Sequence, residues 1–204
     1  MTEFQAFLRL GFEHITDANA YDHILFIVAL CAVYQLPDWR RILVLVTAFT
    51  VGHSITLALA TLQWFSYRAD VVEFLIPVTI FMTAIANLFR KYPKPATKTP
   101  KPTAKPARPQ YLRYGFALVF GLIHGLGFSN YLRSLLGREG SIFQPLLAFN
   151  IGLELGQLLI VGVFVTLAYV FARLFNVSRR DWNLVLSGAV AGIALVLLQK
   201  VWLF

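Results

Sequence analysis

The sequence predicts an all-α membrane protein, a bundle of about six transmembrane helices, or seven if an N-terminal interfacial helix is counted. Three observations predict it. Of the 204 residues, 58% are hydrophobic and only 14% charged, where a soluble domain carries about 25% charged residues. Mean hydropathy is +0.67. The apolar residues also fall in blocks of roughly 17–25, the length that crosses about 30 Å of hydrocarbon at 1.5 Å per residue. Such a composition excludes a disordered chain, a coiled coil and an ordinary cytosolic enzyme.

Taken in order, the apolar runs place spans at Ala18–Leu36, Ile42–Leu62, Val71–Phe89, Tyr111–Leu135, Phe143–Phe171 and Trp182–Phe204. Ahead of them Phe4, Phe7, Leu8, Leu10 and Phe12 interleave with Glu3, Arg9 and Glu13, the pattern of a short helix lying in the interface. Met1 to Ile15 lacks the basic start and small-residue cleavage site of a signal peptide, so the first span is expected to direct its own insertion. Asp17 is expected as the N-cap of that span. Residues 92–110 hold six of the nine prolines among lysines. Alternating Lys and Pro builds no helix interior and packs no core, so this stretch is expected as a flexible linker. It divides a single transmembrane domain, residues 1–204, into two three-span halves. Gly188 and Gly192 in the last span are expected as packing positions.

The net charge of +8 could suggest nucleic acid, but its placement points elsewhere. Six spans put both termini on one side, which collects Arg9, Arg68, Arg133, Arg138 and Lys200. The other side collects Arg40, Arg41, eight charges from Arg90 to Arg113, and Arg173, Arg179 and Arg180, thirteen against five. That bias puts the linker in the cytoplasm and both termini outside, in a bacterial inner membrane. The expected partners are the lipid bilayer, a metal ion and, in a homo-oligomer, further copies of the chain. Nucleic acid is not among them.

Ionisable groups inside spans are costly and mark function by default. Here they are few. His53 lies in the second span, His124 in the fourth and Glu154 in the fifth, while Asp22 and His23 open the first, with His14 just ahead. Counted from the outer ends at 1.5 Å per residue, His53, His124 and Glu154 share a depth of roughly 13–17 Å. His14, Asp22, His23, His53, His124 and Glu154 are therefore the candidate metal ligands. Asn150, Glu154 and Gln157 lie on one stripe of the fifth span, and Thr50, His53 and Ser54 on one of the second. Asn150, Gln157, Ser54 and Thr50 are expected to orient the ligands from behind, and Asp22 could instead orient its neighbour. Gly121, Gly125, Gly152 and Gly156 flank these groups and permit close helix approach. Imidazole and carboxylate suit a divalent transition ion, with Ni, Zn, Cu and Fe not distinguished. The single cysteine, Cys31, excludes a disulfide framework and a thiolate-rich site.

Several stretches resemble the HupE/UreJ family of small membrane proteins, often associated with hydrogenase and urease loci. They are Gly11-Phe12-Glu13-His14-Ile15, Asp22-His23-Ile24-Leu25-Phe26, Thr47 to Leu57 (TAFTVGHSITL), Gly121 to Phe128 (GLIHGLGF) and Asn150 to Gln157 (NIGLELGQ). The spacing departs from the family's nickel-permease branch, where five residues rather than the seven here separate the first histidine from the Asp-His pair. The resemblance implies a six- or seven-span protein that binds or transports a transition metal, with nickel the metal usually assigned.

Three functions remain open on the residues alone. One is divalent cation handling or transport through an outward-facing intramembrane site. Another is an intramembrane metal-dependent hydrolase or oxidase, with Glu154 or Asp22 as general base. The third is haem held by His53 and His124. For the topology, protease added to intact cells is expected to leave the 92–110 linker uncut, and cleavage there would reverse the orientation.

Overall fold

The computed structural model describes residues 2–19, 21–92, 110–136 and 142–201, and every regular element among them is helical. The helices are α1 (Glu3–Thr16), α2 (Asp22–Cys31), α3 (Trp39–Thr61), α4 (Ala69–Leu88), α5 (Gln110–Leu136), α6 (Phe143–Leu174) and α7 (Arg179–Lys200), with a single 3₁₀ turn, Leu36–Asp38, leading into α3. The last five, α3 to α7, are long and apolar enough to cross a membrane. The linker between α4 and α5, and the charged residues Arg138 and Glu139, lie outside the described residues.

The expected first span is not one helix. Its helical part, α2, has ten residues, about 15 Å of rise and half a bilayer. The break before it begins at Asp17, which ends α1 in an extended conformation and accepts at Oδ1 from the backbone of Asn19 at 2.8 Å. Asp17 thus closes α1 in an Asx turn, and the N-cap of α2 is Tyr21. Nor does α1 stand apart as an interfacial helix. It packs lengthwise on α6, in the same direction, with Leu8 and Phe12 against Gly152, and Phe12 and Ile15 against Gly156. Its Arg9–Glu13 ion pair (2.7 Å) stays exposed.

Helices in hydrocarbon gain nothing from burying apolar surface against each other, so close packing at small residues has to hold them. Two seams do so here. At the α1–α6 seam, Gly11 meets the Phe149 carbonyl and Gly152 the Leu8 carbonyl, so closely that a Cβ on either would overlap the oxygen. At the α3–α5 seam Gly52 meets Leu118, Gly121 meets Phe49, and Gly125 meets His53. Those contacts advance together along both chains, so α3 and α5 are parallel. Gly188 and Gly192 behave otherwise: among the described residues nothing lies within 4 Å of a Cβ at either position, and the expected packing is not found there.

A ten-residue helix leaves carbonyls at its end without partners. The Ala29 carbonyl of α2 is buried there, and the Asn87 amide at the end of α4 donates to it at 2.6 Å. The Asn183 amide of α7 donates to the Asn87 carbonyl at 2.8 Å, and Ser187 to Asn183 Oδ1 at 3.1 Å. This chain of buried amides ties α2, α4 and α7 together.

The seams yield a test. Gly121→Ala and Gly152→Ala are expected to lower stability by about 1–3 kcal/mol each, since a methyl must displace backbone. Gly162→Ala and Gly188→Ala, which open onto empty space, should leave the unfolding temperature in detergent unchanged or raised. Equal melting of all four would refute the seams.

Candidate metal centre

Four helices deliver the four histidines of the chain to one place. His14 sits in the last turn of α1 and His23 is the second residue of α2, so the break between the two helices turns one imidazole to face the other, with ring centres 4.7 Å apart. His53 comes from the middle of α3, 6.3 Å from His14 and 6.4 Å from His23. His124 comes from α5, 5.5 Å from His23. His53 is fully buried, and His124 and His23 are nearly so, at 1% and 5% exposure. Phe128 lies 4.0 Å from His14, Phe149 stacks on His53, and Phe26 and Phe49 flank His124, so the chamber wall is aromatic.

The hydrogen bonds decide which nitrogens carry protons. His124 Nδ1 lies 2.8 Å from the Phe120 carbonyl, one turn back on α5. A carbonyl only accepts, so Nδ1 is the protonated nitrogen and Nε2 of the neutral ring presents a lone pair. Likewise His23 Nδ1 donates to the Asp22 carboxylate at 3.1 Å, leaving its Nε2 free. Asp22 therefore orients His23 from behind, the arrangement common to metal-binding imidazoles.

What faces the chamber has no partner. Nε2 of His14, His23, His53 and His124, and Nδ1 of His53, are buried without a hydrogen bond. An unsatisfied buried polar atom costs about 1–3 kcal/mol, and five in one cluster are far outside the usual accounting. His14, His23 and His53 each offer a nitrogen within 4.8 Å of the others, while His124, in ring contact with His23, lies outside that set. Around a tetrahedral ion such atoms stand about 3.4 Å apart, so small rotations of the rings would close the set. The donor set and its orphaned nitrogens fit a divalent transition ion.

The other expected residues sit elsewhere. Thr47 on α3 donates to Glu154 Oε1 at 2.8 Å, and Thr50 to Gln157 Oε1 at 2.7 Å. Thr47 precedes His53 by six residues, which displaces the Glu154 carboxylate by about 9 Å along α3, toward the end of the bundle where α3 begins. Glu154 is thus not among the grouped nitrogens. Ser54 donates to the carbonyl of Thr50 on its own helix at 2.6 Å, and Asn150 Oδ1 is buried without a partner. None of the four expected orienting residues reaches an imidazole. The groups that do so, apart from Asp22, are main-chain or aromatic: the Phe120 carbonyl and the rings of Phe26, Phe49, Phe128 and Phe149. Only the i, i−4 relation of Phe120 to His124 could have signalled one of them.

If the imidazoles act together, His53→Ala is expected to remove stoichiometric binding of Ni²⁺ or Zn²⁺, measured by competition with a chromophoric chelator. Asp22→Asn should weaken it about 10- to 100-fold, the usual cost of losing a partner behind a ligand. Glu73→Gln, exposed on α4, should change nothing. Full affinity in the first two variants would dismiss the site.

A family model described as HupE / UreJ protein matches residues 1–204. No curated protein and no solved structure matches the chain. With the match running over the whole length and the bundle of apolar helices agreeing with it, the chain belongs to the HupE/UreJ family.

Proposed function

We propose that this protein binds a divalent first-row transition ion, of which nickel is the first candidate, at His14, His23, His53 and His124, and carries it across the membrane. The observation that carries this reading is the cluster of buried imidazoles with five partnerless nitrogens, three of which, one each on His14, His23 and His53, come within 4.8 Å of one another. Neutral imidazoles suit Ni, Zn, Cu(II) and Fe, and without thiolates beside them they do not favour Cu(I). Asp22 fixes the His23 ring and adds negative charge next to the ion. The ion here is cargo, so the ligands have to release it as well as hold it.

Direction follows from the polar pairs. On the side of the histidines where α3 begins, Thr50–Gln157 and Thr47–Glu154 place two polar pairs across the α3–α6 seam. We assign Glu154 to a second station that receives the ion after the imidazoles. The positive-inside bias makes that end cytoplasmic and the path inward.

Metal uptake into sealed proteoliposomes, read by an entrapped fluorescent chelator, tests this. Wild-type protein should load the vesicles, and uptake should fall as the outer medium is acidified, because protons compete for the imidazole lone pairs. Glu154→Gln should retain equilibrium binding and lose most uptake. Binding without uptake in the wild type would reject transport. Loss of binding in Glu154→Gln would return that carboxylate to the ligand set.

A further inference from the structure

At the end of the bundle where α4 stops and α5 and α7 begin, positive charge gathers without enough acid to pair it. Arg90 follows the last turn of α4, and its Nη1 is buried with no hydrogen-bond partner among the described residues. The Tyr92 hydroxyl is buried and equally without a partner, with the Arg90 guanidinium 5.7 Å from the ring centre. Arg113, in the first turn of α5, lies 5.8 Å from the Tyr34 ring and donates to its hydroxyl at 3.4 Å. Burial and then the nearby Arg113 push the Arg90 guanidinium below its ordinary value, while burial raises the Tyr92 phenol against the pull of Arg90, Arg113 and Arg179. Among the described residues the carboxylate acting on Arg90 is Asp38. It is already engaged, accepting from Arg41 at 2.9 Å and from the Gln35 backbone at 3.3 Å.

Arginines at a membrane border ordinarily snorkel, with the stem along apolar surface and the head in water. The buried Nη1 of Arg90 does not end in water. Two adjacent buried donors, one of them charged, lack an acceptor with more than one oxygen. A single carboxylate would serve one guanidinium. A phosphate has enough oxygens to take a forked pair from Arg90 while also meeting Arg113 and the Tyr92 hydroxyl.

We propose that Arg90, Tyr92 and Arg113 form a binding site for a phosphate group at this end of the bundle, with Arg179 adding charge from α7. The group can arrive on an anionic phospholipid or as inorganic phosphate. The site's position at the ends of helices long enough to cross a membrane favours the lipid.

The test uses delipidated full-length protein in detergent, titrated with phosphatidylglycerol, phosphatidylcholine or inorganic phosphate, and read by native mass spectrometry and thermal unfolding. One phosphatidylglycerol should be retained in preference to phosphatidylcholine. Arg90→Gln should weaken it about tenfold or more, as expected for a lost charge-assisted hydrogen bond. Tyr92→Phe, which deletes one oxygen, should weaken it less, and Arg180→Gln should not affect it. Unchanged Ni²⁺ affinity at the histidines serves to show that each variant is folded. Stabilisation by inorganic phosphate that Arg90→Gln abolishes, without lipid selectivity, would support the site with the soluble ion as its occupant. Equal retention of phosphatidylglycerol in wild type, Arg90→Gln and Tyr92→Phe, with no response to phosphate, would overturn the proposal.

Discussion

Backbone meeting backbone at a few glycines is the contact on which everything else in this molecule depends. Helices separated by ordinary side chains stand about 8–10 Å apart, and in lipid no hydrophobic force draws them closer. Gly121 and Gly125 bring α5 onto the backbone of α3 beside His53, and Gly11, Gly152 and Gly156 bring α1 onto α6. The first approach brings His53 and His124 against the same ring, Phe49, and the second holds His14 near His23 and His53. Widening either seam would separate the imidazoles even if every histidine stayed in its helix.

The chamber inverts the normal rule for buried polar atoms. Several of them are satisfied across helices: Asn87 serves the Ala29 carbonyl, Asn183 serves Asn87, and Thr50 serves Gln157. Among the histidines the same fold satisfies the outward nitrogens of His23 and His124 and leaves the inward ones bare. Buried atoms without partners occur elsewhere too, at Thr61, Arg90, Tyr92, Asn150 and Trp182, so what sets the histidines apart is that five such atoms belong to one cluster.

Much of this could be read from the residues, and the failures have physical causes. The spans from Ile42 onward match α3 to α7 closely because long apolar runs admit one interpretation in a bilayer. The histidines could be gathered because so few polar groups interrupt those runs. The broken first span could not be seen, since apolar residues continue on both sides of Asp17–Tyr21 and an Asx turn resembles an N-cap in sequence. Counting from helix ends puts Glu154 level with His53, but such counting assumes upright helices starting at a common plane. With 32 residues, α6 is too long for that assumption. Gly188 and Gly192 have the spacing of a packing motif, but spacing does not say which face a neighbour occupies.

The break between α1 and α2 divides the ligands by how they are held. His53 and His124 are fixed in the middle of continuous helices, while His14 and His23 flank a short irregular segment. His14 is also the least covered of the four. If the histidines hold an ion as proposed, it need not break all its bonds at once: a ligand at the break would be the first to detach. Stepwise exchange of this kind separates affinity from residence time. Imidazoles that hold an ion tightly could still pass it on, provided an incoming donor replaces each bond before the next is lost.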